Sequence, residues 1–178
     1  MNKLLYYFIL LLRFVFPSLI FIWPLTSIIV SSLLDIVDIE FASNGVTTIS
    51  KYEKIDKLFD LWWYVTSITY SFFNLHQWFV FLLILFVYRF VGDMFFFIKG
   101  ERKILMFFPN FFESAFFLFF FSTYFSSINF LIRPNNLYFS LLVVFLIKIF
   151  QEWWIHWAQI SIPEDFLGKK RKWRVYNK

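Results

Sequence analysis

Long apolar runs interrupted by short polar or charged stretches make up most of this chain, and a helix needs about 20 residues to cross a bilayer. Read by that length, the sequence predicts six membrane-spanning helices, over residues 3–22, 24–42, 51–74, 77–98, 109–131 and 137–158. The first boundary rests on Ile22-Trp23-Pro24, where a proline at the first helical position opens a new helix. Pro17 and Pro24 could instead kink one long helix and leave five spans. Charge favours six. Lys3, Lys51, Lys54, the loop Lys99-Gly100-Glu101-Arg102-Lys103 and the basic C-terminus then share one side, and little beyond Arg133 lies on the other. By the positive-inside rule both termini are expected in the cytoplasm. The expected fold is an all-α integral membrane bundle of the plasma (inner) membrane, with one helical domain over 1–163 and a basic tail over 164–178. No small-residue cleavage site follows the first apolar segment, which is expected to remain as an anchor.

Polar punctuation supports these boundaries. Residues 39–50 turn polar and contain Asn44-Gly45, a strong turn signal. Ser50 and Glu53 stand in the capping-box relation, which predicts a helix start near Lys51. Glu113, three residues after Asn110, fits an N-cap pair that opens the fifth helix.

Composition agrees with a lipid environment: 60% of residues are apolar, 26% are aromatic, and mean hydropathy is +0.66. The absence of cysteine excludes disulfides and thiolate catalysis. Six of the 17 basic residues sit in the tail Gly168–Lys178, which dominates the net charge of +5. That tail could hold anionic lipid headgroups with Trp173 at the interface, or serve only to fix topology. One short juxtamembrane cluster is not a folded basic face, so nucleic acid is not an expected partner.

Against this background the acids are concentrated. Four of the six aspartates form two pairs, Asp35 with Asp38 and Asp56 with Asp60, spaced so that each pair projects from one helical face. Two such faces brought together make a pocket of hard oxygen ligands suited to Mg²⁺ or Mn²⁺. An aspartate deep in a membrane helix costs roughly 2.5–3.5 kcal/mol, so these four require compensation. A divalent cation, a polar cavity, or pairing with Lys54 and Lys57 could each provide it.

The spacing also resembles the signature of the CDP-alcohol phosphatidyltransferase family, D-x2-D-G-x2-A-R followed after a short gap by G-x3-D-x3-D. Asp35 and Asp38 match its first pair, Ala42 its alanine, and Asp56 and Asp60 its last pair, over a stretch from Asp35 to Asp60. Ile39, Ser43 and Tyr52 stand where the signature has glycine, arginine and glycine. The resemblance implies a two-ion site and six helices, with transfer of a phosphatidyl or related group from a CDP-linked donor to an alcohol, homodimers being usual. It implies Asp35, Asp38, Asp56 and Asp60 as metal ligands, with Asp60 alternatively the general base, and Ala42, Ser43 and Tyr52 near the donor. Tyr52 could fill the cytidine space, swing aside, or stack on a base.

Other polar residues in the spans allow two readings each. Arg89 and Asp93, one turn apart, could neutralise each other, or Arg89 could contact a phosphate. Lys148, Glu152 and His156 form a stripe that could line an acceptor cavity or glue helices together. Three functional classes follow: a metal-dependent transferase, a noncatalytic relative acting as a membrane scaffold or lipid-binding protein, and a small transporter. The transporter finds no support in an internal repeat or paired broken helices.

Overall fold

In the computed structural model, which describes residues 2–43 and 46–158, the chain is built from helices. In order they are α1 (Asn2–Ser18), a 3₁₀ turn (Leu19–Phe21), α2 (Pro24–Ala42), α3 (Ile49–Asn74) and α4 (His76–Lys99). A 3₁₀ segment (Arg102–Phe107), α5 (Phe111–Tyr124), a second 3₁₀ segment (Ser126–Ile132), α6 (Pro134–Glu152) and a π-helical turn (Trp153–Ala158) complete it. The described residues form two compact units, one running through Ser67 and the other spanning Ile68–Ala158. Asn44-Gly45 and the basic tail lie outside the described residues.

Three helices among the described residues are long and apolar enough to cross a membrane: Lys3–Phe21, His76–Lys99 and Pro134–Ile155. Their outward faces carry large apolar side chains, such as Val80, Ile84, Leu142 and Phe150, in the exposed state that suits lipid rather than water. α2 is apolar along most of its length but is not among the three, because it carries three acids, Asp35, Asp38 and Glu40.

In the first unit α1 and α2 are separate helices. Pro17 has no N–H to give to the carbonyl of Arg13, the helix tightens into the 3₁₀ turn, and Pro24 occupies the first turn of α2. Tyr6 of α1, Ala42 of α2 and Tyr52 of α3 form a buried cluster, against which Leu10, Ile39, Phe41 and Val46 pack. The start of α3 differs from expectation: it begins at Ile49, so Ser50 lies inside its first turn rather than at the cap.

In the second unit α4 ends at Gly100, whose left-handed backbone (φ 72°) lets its N–H reach the Phe96 carbonyl at 2.7 Å. Gly92 lets α4 approach the following segment, since a Cβ there would lie 2.4 Å from Cβ of Phe108. The core is aromatic, with Phe112, Phe116 and Phe119 fully buried and the Trp78 ring stacked on Phe119 at 4.3 Å. The fifth predicted span, 109–131, is not one helix. α5 stops at Tyr124, Phe125 is extended (φ −108°, ψ 112°), and a 3₁₀ segment follows. Its 14 residues span only about 21 Å. The stretch from Phe119 to Phe125 is all aromatic, Ser or Thr, residues of modest helix propensity, and the apolar signal is blind to that weakness.

Candidate functional site

Three helices of the first unit bring the four aspartates together. Asp35 and Asp38 project from one face of α2, and Asp56 and Asp60 from one face of α3. The group that gathers them comes from α1. Arg13, 5% exposed, donates from Nη1 to Asp38 and to Asp56 (3.1 Å), and from Nη2 to Asp35 and to Asp60 (3.3 Å). The planar guanidinium has a fixed fork of donors, so one side chain can serve carboxylates from two helices at once. Its Cζ also lies 5.4 Å from the centre of the Phe59 ring.

The end of α1 is fastened where Arg13 needs it. The Ser27 hydroxyl donates to the Phe16 carbonyl at 2.6 Å, and the Trp62 indole N–H donates to the Phe14 carbonyl at 2.9 Å. The Trp62 ring also stacks on Phe14, centroids 5.1 Å apart and planes 13° apart. These contacts tie α1 to α2 and α3 within a turn of the guanidinium.

Lys57 is the second cation of the cluster. Its Nζ pairs with Asp60 and lies 3.4 Å from Asp56. Tyr52 donates its hydroxyl to Oδ1 of Asp38 at 2.9 Å. Among the described residues, four carboxylates face the two cations Arg13 and Lys57, an excess of two formal negative charges.

Asp35, Asp56 and Asp60 each offer an oxygen within 4.8 Å of the other two, a donor set that fits one hard divalent cation. The Asp35 side chain, 52% exposed, makes the cluster reachable from outside. Asp38 is different: it is buried, held by Arg13 and Tyr52, and stands apart from that group of three. Of the other residues singled out by sequence, Ala42 and Tyr52 belong to the buried cluster of the first unit, and the Ser43 hydroxyl donates to the Glu40 carbonyl at 3.2 Å. Sequence reasoning overlooked Arg13. The signal was available: it is the single charged residue between Lys3 and Asp35. A charge isolated in apolar sequence seeks a partner.

Arg89 belongs to the second unit, in a buried polar seam. Its Nε lies 3.3 Å from Asp93, its Nη1 donates to the Phe108 carbonyl at 2.7 Å, and Glu152 lies 4.0 Å away. Glu152 accepts the Asn110 N–H at 3.1 Å and lies 3.6 Å from Lys148. Asn110 caps α5 as its spacing predicts, with Oδ1 accepting the Glu113 N–H at 3.2 Å and Nδ2 donating to the Glu113 carboxylate at 2.8 Å. The His156 side chain lies outside the described residues.

Comparison with family models, curated proteins and solved structures finds no match for this chain.

Proposed function

We propose that this protein is a membrane-embedded, divalent-cation-dependent transferase, similar in chemistry to the CDP-alcohol phosphatidyltransferases whose acidic pattern it resembles. It moves a phosphatidyl or other phosphate-linked group from a CDP-linked or related donor to an alcohol, with α2 and α3 as the second and third of six spans and the acids at their cytoplasmic ends. The observation that carries the reading is the convergence of Asp35, Asp56 and Asp60 in a cluster with a residual charge of −2.

A bound Mg²⁺ or Mn²⁺ supplies charge neutralisation for a phosphoryl group under attack. The chain's own residues do the rest. Arg13 and Lys57 hold together carboxylates that would otherwise repel one another, so the ligand set is assembled in advance. Asp60, at the edge of the cluster, is the proposed ligand or acceptor of the alcohol proton. One cation would draw Asp35, Asp56 and Asp60 away from Arg13 and Lys57, and the two-ion arrangement of the resembled family asks Asp38 to part from Arg13 and Tyr52 as well.

The same contacts favour a second reading, a noncatalytic relative. Arg13 already serves all four carboxylates, and Tyr52, on a signature glycine position, is locked onto Asp38. Calorimetric titration of detergent-purified protein with Mn²⁺, beside an Asp56→Asn/Asp60→Asn variant and a CMP-release assay with a CDP-linked lipid, tests both. Saturable binding lost in the variant, with CMP release, supports the transferase. Binding without CMP release across several acceptor alcohols supports the noncatalytic relative. No binding in the wild type overturns the transferase.

A further inference from the structure

Within the second unit, α5, the 3₁₀ segment Ser126–Ile132 and α6 enclose a groove of about 350 Å³, within the range of small-molecule sites. At one end Ser114, Lys148 and Gln151 line it. Phe117 and Phe121 line its body, and Ser122 lines it toward the far end of α5. The groove borders the outward apolar face of α6, a helix long and apolar enough to cross a membrane: its lining residue Ile147 is exposed, as are neighbouring Leu146 and Phe150. Entry is therefore from lipid.

Three observations narrow the occupant. The Ser122 hydroxyl is fully buried and has no hydrogen-bond partner among the described residues, so a donor waits at the far end of an otherwise apolar body. Ser114 and Ser122 are eight residues apart on α5, about 12 Å along its axis. That leaves room between the two hydroxyls for one ring and a hydrogen bond at either end, flanked by the faces or edges of two phenylalanines.

Charge is the third observation. Lys148 lies 3.7 Å from Glu113 and 3.6 Å from Glu152, and donates to Gln151 Oε1 at 3.2 Å. Two carboxylates beside one ammonium disfavour an anionic headgroup at that end, while the ammonium can still donate to a neutral acceptor.

We propose that this groove binds an uncharged, lipid-soluble ring compound with a hydrogen-bond acceptor at each end, the chemistry of a membrane quinone, independently of what the acidic cluster does. One acceptor meets Ser122, the other meets Ser114 and Lys148, and the aliphatic tail leaves toward lipid beside Ile147.

The test is equilibrium binding of a short-tailed benzoquinone analogue to the detergent-purified full chain, in wild type, Ser122→Ala and Val144→Trp. Ser122→Ala removes a hydroxyl that has no hydrogen-bond partner among the described residues, so its folding is expected to be unimpaired and its thermal midpoint equal to or above wild type. Saturable binding of one equivalent, weakened about tenfold in Ser122→Ala and abolished in Val144→Trp, supports the site. Should Val144→Trp fail to fold, the Ser122→Ala result alone decides. Unsaturable partitioning, affinity unchanged in Ser122→Ala, or displacement by equimolar monoacylglycerol or fatty acid overturns it, the last by showing a general lipid groove.

Discussion

The two units bury charge in opposite ways. In the first, one guanidinium spreads over four carboxylates from two other helices, acids outnumber bases by two, and one member is half exposed. In the second, among the described residues, Arg89 and Lys148 face Asp93, Glu113 and Glu152, and the members are spent on helix capping and on a loop carbonyl. Both satisfy the requirement that charge away from water be paired. Among the described residues, only the first leaves several oxygen ligands converging with negative charge to spare. The difference separates a site from a seam: what matters is not the number of buried charges but whether their sum is left uneven around one reachable point.

The strongest test of that contrast is to remove the cation from each region. Arg13→Gln leaves four carboxylates with Lys57 as the one remaining cation among the described residues and should cost about 3–5 kcal/mol of stability, read as a fall in the thermal midpoint of purified protein. Millimolar Mn²⁺ should restore much of the loss by binding the folded state. Arg89→Gln should destabilise comparably and show no Mn²⁺ rescue; equal rescue of both variants would dissolve the comparison. Next in size, Tyr52→Phe removes one hydrogen bond to a buried carboxylate and should cost about 1.5–3 kcal/mol, while tightening Mn²⁺ binding because Asp38 loses one of its two holds and keeps only that of Arg13. Gly92→Ala forces a methyl into Phe108 and should cost about 1–3 kcal/mol, partly recovered in Gly92→Ala/Phe108→Ala. Asn110→Ala, which removes the α5 cap, should cost about 1 kcal/mol in the second unit and leave Mn²⁺ affinity untouched.

Much of the helical outline was legible in the sequence. Hydrophobic length placed the ends of α4 within one residue, Pro24 marked the start of α2, and Asn110 with Glu113 marked that of α5, because each signal is a local backbone requirement. The end of α5 was not legible: apolar character persists through Phe125 and beyond Ile128 while the backbone changes from α to extended to 3₁₀. Hydropathy measures solvent preference and not dihedral angles. The aspartate pairs were legible from spacing, and so was the Arg89–Asp93 pair one turn apart on α4. The partner of the aspartates was hidden by distance in sequence, since Arg13 precedes Asp38 by 25 residues and Asp60 by 47. Local pattern marks Arg13 as a charge isolated in apolar sequence, but which acids it meets is decided only once three helices are packed.

The short turn between α1 and α2 also bears on how the first two helices carry their charge. An arginine in a membrane helix is unfavourable by roughly 2.5–3.5 kcal/mol on insertion scales, and residues 1–34 contain no acid to pair with Arg13. Asp35 and Asp38 follow on the next α-helix, across the 3₁₀ turn Leu19–Phe21 and the two residues Ile22 and Trp23, and both end on that guanidinium. Neither helix is a comfortable passenger by itself, the first for its cation and the second for its acids. Packed as a hairpin they partly neutralise each other without any help from α3, so Arg13 with Asp35 and Asp38 makes the first two helices a self-compensating pair.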